Sequence, residues 1–471
     1  MKHFFFPLTL IFFLLFTNTQ VEAQKTFIEN SKLYWELKND TLIIGGKGVM
    51  PHYKITEPAP WHSNQNKVKR VEIAKGVQSV GNYAFHNFSK LKSVYISKGV
   101  TSIGRRAFDA CFQVEEINIP ATVTTIGEAA FFRCLNLKSI TIPKRVKAIE
   151  NNTFAYCVKL VEVNFPDALT SIGEAAFIEC ESLRAISIPP AVATIGKNAF
   201  YSCRQLQEVS LPASLKQISQ FTFYNCQNIE TVVIPNNVTK IEKAAFASCA
   251  RLREINLSNA LEIIEDQVFT DCDSLKHIAI PKNVKEIHIS CFLRCENLAS
   301  VKVHENNRHY SSFDNIIYNK DRTVLVFCPV GRTAEITYPN ELKVIGQSAF
   351  AYYSQLTEIT LPSTVERIGE KAFFHCENLE TVIFSEGLKV IGRNAFERNS
   401  KLSKIIIPNS LEKIEEFAFA NCCSLFPFET PEHTHVSKDA FNEDLSQPSG
   451  CCKGEHCSSF KRLLPTESLP Q

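Results

Sequence analysis

A phenylalanine recurs every 23 residues in this chain, at Phe85, Phe108, Phe131, Phe154, Phe177, Phe200, Phe223, Phe246, Phe269 and Phe292. It resumes with the same period at Phe350, Phe373, Phe396 and Phe419. The interval from Phe292 to Phe350 is 58 residues, one period plus 35, so a single inserted segment interrupts a single array. A fixed period between 20 and 50 residues specifies a stack of like units, each of which buries its apolar face only against its neighbours. The 471 residues therefore need not be divided into globular domains.

One period, Val114 to Asn136, shows what each unit contains. Ile117 and Ile119 are β-branched and two apart, the signature of a short strand with one face inward, and Pro120 ends it. Phe131 and Cys134 are three apart, the spacing of a helical turn. The predicted fold is a solenoid with one short β-strand and a helical turn in each 23-residue coil. Gly127 recurs as Gly104, Gly173 and Gly196, but Glu150, Ser219 and Glu242 occupy the same place, so no left-handed backbone is required there.

Of the 17 cysteines, eleven lie three residues after a repeat Phe, among them Cys111, Cys134, Cys157, Cys180 and Cys203. Phe88, Tyr353 and Asn399 occupy the same slot in other periods. A slot that accepts Phe or Cys reads as a packing slot in which the thiol is a small buried hydrophobe. Sulfurs in an evenly stacked ladder have parallel Cβ vectors, poor geometry for disulfides. With Phe108, Phe131, Phe154, Phe177 and Phe200, these thiols are expected to form a structural ladder.

The pattern Leu-x-x-Ile-x-Ile-Pro-x-x-Val-x-x-Ile-Gly-x-x-Ala-Phe-x-x-Cys, clear in Leu137 to Leu160 and Leu183 to Leu206, resembles the BspA-like leucine-rich repeat family of bacterial surface and secreted proteins. The resemblance runs from about Val68 to Leu425 and includes the opening hairpin and Pro60-Trp61. It implies a right-handed, β-lined leucine-rich-repeat solenoid and, from the family's studied members, adhesion to host or bacterial surfaces.

Outside the array, residues 1–23 read as a signal peptide: Lys2 and His3, an apolar run from Phe4 to Phe16, then Val21-Glu22-Ala23 before Gln24. The protein is expected to be exported, to the medium, the cell surface or the periplasm, with no membrane span after cleavage. Residues 24–67 contain two alternating runs around Asn39-Asp40 and read as a β-hairpin capping segment. The rival reading is a sugar-binding surface of Tyr34, Trp35 and Trp61. Repeats occupy 68–303. The insertion, 304–338, reads as a hairpin about Asn319-Lys320-Asp321 that stays in the stack as an enlarged coil, because Ile316, Tyr318, Leu325 and Phe327 are too apolar for a free loop. A protruding binding loop is the alternative. Repeats and a terminal cap fill 339–441. Residues 442–471 read as a flexible tail whose Cys451, Cys452 and Cys457 suit a local disulfide better than zinc.

Lys plus Arg number 51 and Asp plus Glu 49, a balance that gives no electrostatic reason to expect nucleic acid. No phosphate loop, His-Glu-x-x-His helix or nucleophile elbow occurs, so no catalytic residue, metal or cofactor is predicted. The strand face is more informative. One outward row alternates small residues with Glu116, Glu162, Glu208 and Glu254, one Glu every 46 residues, and the row beside it carries Lys138 and Arg184. Alternation keeps like charges two coils apart and sets base diagonally beside acid. It reads either as a solubility lattice or as a mixed-charge face that docks an extracellular or cell-surface protein. The function expected is non-enzymatic recognition or adhesion. A structural scaffold of a surface assembly and a carbohydrate-binding accessory are the alternatives, and the oligomeric state is open.

Overall fold

The structure, a computed structural model, describes residues 24–425 and 430–441. The signal segment 1–23 and the cysteine-containing tail 442–471 lie outside them. Successive coils stack in parallel register 23 residues apart, and from Ser139 to Val303 the long strands pair in twos, as Ser139↔Glu162, Ile140↔Val163 and Thr141↔Asn164. Each coil also carries a second strand of two residues, such as Thr125–Ile126, paired in the same register with Ser102–Ile103. The sequence predicts only the first, because a two-residue strand contributes one inward and one outward side chain and shows no period.

The Phe-bearing segment is tighter than a regular helix. In the coil of Phe131, Ala130 N donates to Gly127 O at 3.1 Å, Phe132 N to Ala129 O at 3.1 Å and Cys134 N to Phe131 O at 3.2 Å. The alternate amides point out of the coil: Ala129 N, Phe131 N and Arg133 N donate to Asn151 O, Thr153 O and Ala155 O of the next coil at 2.9, 3.0 and 2.9 Å. This alternation requires left-handed backbone at Ala129 (φ 54°) and Arg133 (φ 58°), and neither is glycine. The conformation costs roughly 1–2 kcal/mol per residue, and the bonds to the next coil offset it. Gly127 has no positive φ. A side chain there would meet Arg105 N at 2.6 Å, so this glycine serves close approach between coils. Where another residue stands in that row its side chain is used: Ser219 Oγ donates to Ile195 O at 2.7 Å, and Glu242 Oε2 accepts from Gln220 N at 3.0 Å.

Inside, the Phe rings form a stack. Phe108 and Phe131 lie 5.8 Å apart at 5°, and Phe177 and Phe200 5.4 Å apart at 3°. All are fully buried, which is worth roughly 1.5–3 kcal/mol for each ring. Every repeat thiol from Cys111 to Cys295, and Cys376 and Cys422 beyond the insertion, donates to the Phe carbonyl 26 residues earlier, as Cys134 Sγ to Phe108 O at 3.4 Å and Cys203 Sγ to Phe177 O at 3.3 Å. Asn399 Nδ2 makes the same bond to Phe373 O at 3.0 Å. The slot is thus more than a packing slot: it supplies a donor. Phe88 occupies it in the first coil, where Trp61 precedes, and Tyr353 in the coil after the insertion, where its hydroxyl donates to Arg332 O at 2.9 Å.

At the amino end, Leu33–Lys38 and Thr41–Gly46 form the predicted antiparallel hairpin, and Thr41–Gly46 then pairs in parallel with Arg70–Ile73 of the first coil. Trp61 takes the place of a preceding Phe: its ring lies 5.8 Å from Phe85, and its Nε1 donates to Ala84 O at 2.8 Å. At the other end Phe441 stacks 5.6 Å from Phe419, whose amide donates to Ala440 O at 2.8 Å.

The insertion is a three-stranded antiparallel unit, Tyr310–Phe313, Ile316–Asn319 and Val324–Phe327, one hairpin more than the sequence predicts. Asp314 (φ 50°) and Asn315 (φ 62°) make the extra two-residue turn, with the paired positive φ angles that such hairpins favour. Val324–Phe327 joins the row of short strands by pairing in parallel with Val344–Ile345. The buried side chains of the unit divide between two cores: Ile317 and Phe327 enter that of the preceding coils, whereas Ile316, Tyr318 and Leu325 enter that of the following ones.

Candidate ligand-facing surface

The long strands expose two outward rows. Glu116, Glu162, Glu208 and Glu254 stand in the first, opposite Ser93, Ser139, Ala185 and Thr231 of the preceding coils. All four are exposed, and among the described residues none makes an ion pair. In the second row Asn118, Thr141, Asn164, Ser187 and Ser210 form an uncharged strip.

The basic residues beside the first row do not sit as the sequence predicts. Lys138 turns back to Glu115 in the coil before it, at 2.8 Å, and does not pair diagonally with Glu116 or Glu162. This bond holds the Glu115 carboxyl below its usual range and raises the Lys138 ammonium. Arg253 likewise takes Glu230, at 3.0 Å. Residues directly opposite on neighbouring strands are closer than diagonal ones, so the lateral partner wins. Arg184 has no ion pair among the described residues and is exposed. The ladder residues Phe108, Phe131, Phe154, Phe177 and Phe200, with Cys111, Cys134, Cys157, Cys180 and Cys203, are fully buried and take no part in this surface. Burial pushes those thiols up, Cys157 to about 12, so they are poor nucleophiles.

The insertion walls off one end of the face. Val301 N donates to Asn315 O at 3.0 Å, which sets the Asp314-Asn315 turn beside the last long strand. A cleft of about 540 Å³ lined by Glu254, Asn256, His277, Ser300, Lys302 and Asn315 results. Arg332, buried and outside the repeat, secures the turn: it donates to Asp314 O at 2.6 Å and Asp314 Oδ2 at 2.7 Å, and to Glu335 O at 3.1 Å. Burial works to raise the Asp314 carboxyl, but the bonds from Thr337 and the Arg332 charge outweigh it and hold the group below its ordinary value. Sequence reasoning missed Arg332, since nothing in the period marks it.

Two further groups also escape the sequence pattern. On the turn side Phe132 and Tyr156 lie 5.4 Å apart with Arg133 over both, and Tyr201 stacks on Tyr224 at 4.8 Å. Their common signal is an aromatic residue one or two positions after the spine Phe. On the coil edge, His288 Nδ1 lies 2.8 Å from Ser290 Oγ and 3.3 Å from Asp266. One ring nitrogen faces both partners, so the ring relays no proton between them as a nucleophile–base–acid series requires. Among the described residues no cluster of three or more His, Cys, Asp or Glu side chains suits a metal ion. Among them, too, no helix is long and apolar enough to cross a membrane. The sugar-binding reading of the amino end fails at Trp61, which is fully buried beneath the hairpin. Tyr34 and Trp35 are half-buried.

The family model described as BspA type leucine rich repeat region (6 copies) matches residues 61–184, 170–299 and 326–446. Among solved structures the chain is similar to a leucine-rich repeat protein from Bacteroides ovatus, with 26% identity over 88% of this chain and 97% of that one and a TM-score of 0.54. It is also similar to a leucine rich cell surface protein from Faecalibacterium prausnitzii, with 23% identity, 77% and 95% coverage and a TM-score of 0.41. A third similarity is to the pneumococcal vaccine antigen PcpA, with 18% identity, 88% and 77% coverage and a TM-score of 0.29. No curated protein matches the sequence significantly.

Proposed function

The chain belongs to the BspA-type leucine-rich repeat family, and on that premise we propose that it is an exported, non-enzymatic recognition protein whose strand face docks an extracellular or cell-surface protein. The observation that carries this reading is the row of four exposed, unpaired carboxylates on strands held in register by a rigid spine. A solvated lattice would pair its charges laterally, as Lys138 and Glu115 do, yet among the described residues the Glu row makes no ion pair and stands opposite small neighbours. The signal-like segment 1–23 supports export, and we propose the division into cap (24–67), repeats (68–303), enlarged coil (304–338), repeats with terminal cap (339–441) and tail (442–471).

The test is binding of the purified mature chain to matrix proteins and to whole cells. Reversing Glu162 and Glu208 to Lys should weaken saturable binding at least tenfold while changing stability by less than about 0.5 kcal/mol, as exposed substitutions do. Equal losses from replacing Phe132 and Tyr156 on the turn side would move the docking surface there and overturn the assignment.

A further inference from the structure

The break between the two arrays leaves a strand without a neighbour. Beyond the insertion the long strands Glu358–Thr360, Thr381–Ile383 and Lys404–Ile406 pair in one continuous parallel sheet. Thr381 N donates to Thr357 O at 3.2 Å and Leu361 N to Ile383 O at 3.0 Å, so residues 357, 359 and 361 turn their backbone groups toward the following coil. Alternation along the strand turns the N–H and C=O of Glu358 and Thr360 the other way. Among the described residues no backbone group meets them there.

The stretch one period earlier explains why. Residues 335–338 form no strand. Where long strands do pair, a recurring bond joins them: Glu208 N donates to Arg184 O at 3.4 Å, Glu254 N to Glu230 O at 3.3 Å and Lys404 N to Glu380 O at 3.1 Å. The oxygen that would serve Glu358 N belongs to Ala334, and it accepts from Arg332 Nε at 3.4 Å instead. Arg332 also donates to Glu335 O at 3.1 Å, and Thr337 N donates to Asp314 Oδ2 at 3.1 Å, so the whole stretch is tied to the insertion. The paired strands of the first array leave edges too, but each of those faces another strand one period on. Before Glu358 the facing chain is bound elsewhere.

A cleft of about 530 Å³ separates the two, within the size range of ligand sites. Its floor is apolar. Ile336 and Tyr338 are half-buried along one wall, and Leu356 is 8% exposed although its counterparts Leu137, Leu183, Leu379 and Leu402 are fully buried. Its rim is acidic: Glu335 and Glu358 stand one period apart, both exposed and, among the described residues, neither in an ion pair. A short, charged edge also deters aggregation, but deterrence needs neither an apolar floor nor a cleft.

We infer that the cleft is a strand-addition site: an extended segment of a partner protein pairs with the edge of Glu358–Thr360, buries alternate apolar side chains against Ile336, Tyr338 and Leu356, and sets a Lys or Arg between Glu335 and Glu358. In such sites main-chain bonds supply affinity and alternate side chains supply specificity. The site lies across the insertion from the Glu row and does not depend on it.

The probe is the hexapeptide Thr-Val-Lys-Val-Lys-Thr, with two analogues N-methylated at its odd or at its even amides. Binding to the full mature chain is measured by calorimetry, and hydrogen exchange over 357–361 by mass spectrometry with and without peptide. The peptide should bind and slow exchange at Glu358 and Thr360. Only one methylation pattern should weaken it, by about tenfold, because only alternate amides of an added strand face the edge. The double variant Glu335→Gln/Glu358→Gln should lose about fivefold at low ionic strength and less at physiological, as exposed pairs are screened. Reversing Glu162 and Glu208 to Lys should change peptide binding less than twofold, so this site and the Glu row stand or fall separately. No binding, equal loss from both methylation patterns, or equal loss from the Glu162 and Glu208 reversal overturns the inference. So does slow exchange at Glu358 and Thr360 in the protein alone, which would mean that a second copy or residues 442–471 already cover the edge.

Discussion

The two long sides of the solenoid are held by different hydrogen-bond geometries, and the difference separates spine from surface. On the strand side the pairing is parallel β, and the side chains between inward positions face solvent. There the rows are free to vary, from Glu162 to Ala185 to Glu208 in consecutive coils. On the turn side, three amides of one coil donate to three carbonyls of the next, a thiol or amide donates back to the Phe carbonyl, and the rings stack. Little can vary in that arrangement. The lesson is that recognition is to be sought where backbone pairing alone sets the register, and stability where side chains and backbone set it together.

The largest expected effect tests the spine directly. Phe177→Ala removes a fully buried ring between two stacked neighbours and should cost about 3–5 kcal/mol through transfer and cavity terms, read from urea unfolding. A loss below about 1 kcal/mol would mean that the strand side carries the stack unaided.

Arg332→Ala sharpens the comparison at the interruption, where the short-strand row continues through Val324–Phe327 and the long-strand face is walled by the Asp314 turn. Breaking this buried pair should cost about 3 kcal/mol and leave the Cys328 N to Ala349 O bond on the turn side intact. Because the Asp314 carboxyl is lowered in the folded chain, its contribution is present above the ordinary carboxylate pKa of about 3.9 and disappears as pH falls through the lowered value. The difference between parent and variant should therefore narrow only in strong acid, leaving the part due to the bonds from Arg332 to Asp314 O and Glu335 O. A constant difference down to about pH 2 would show that the charge pair is not what holds the turn.

The smallest effect concerns the thiols. Cys180→Ala deletes the donor to Phe154 O but leaves that carbonyl the Cys157 amide, at 3.2 Å, so a cost of about 1–2 kcal/mol is expected. Cys180→Asn, which copies the donor that Asn399 supplies, should recover part of it. If Asn is worse than Ala, the donor role is secondary to volume.

Much of this was legible in the sequence, because a 23-residue period puts residue i beside residue i+23 whatever the local conformation. The Phe stack, the first strand of each coil and the solenoid itself follow from it, and the amino-terminal hairpin follows from the alternating runs around Asn39-Asp40. The left-handed residues did not show, because Ala129 and Arg133 carry none of the glycine that normally signals them. Nor did the thiol bonds, since cysteine reads as a hydrophobe until its neighbour's carbonyl is seen to lie 26 residues back. The charge rows could be read, but not their pairing: which carboxylate Lys138 takes depends on side-chain reach across one coil, a distance that composition does not encode. Arg332 and Asp314 lie in the one stretch without a period and had no pattern to betray them.

The three amides per coil that point toward the carboxyl end make the turn side electrically one-directional, in the way a helix is. Its first coil shows bare oxygens and asks for hydrogen donors, which the Trp61 indole and the Tyr53 amide provide to Ala84 and Asn82. Its last asks for acceptors, found at Asp439 and Ala440. Lids for the two extremities are consequently not interchangeable, and a shortened version of this protein must keep the matching lid at whichever extremity is cut.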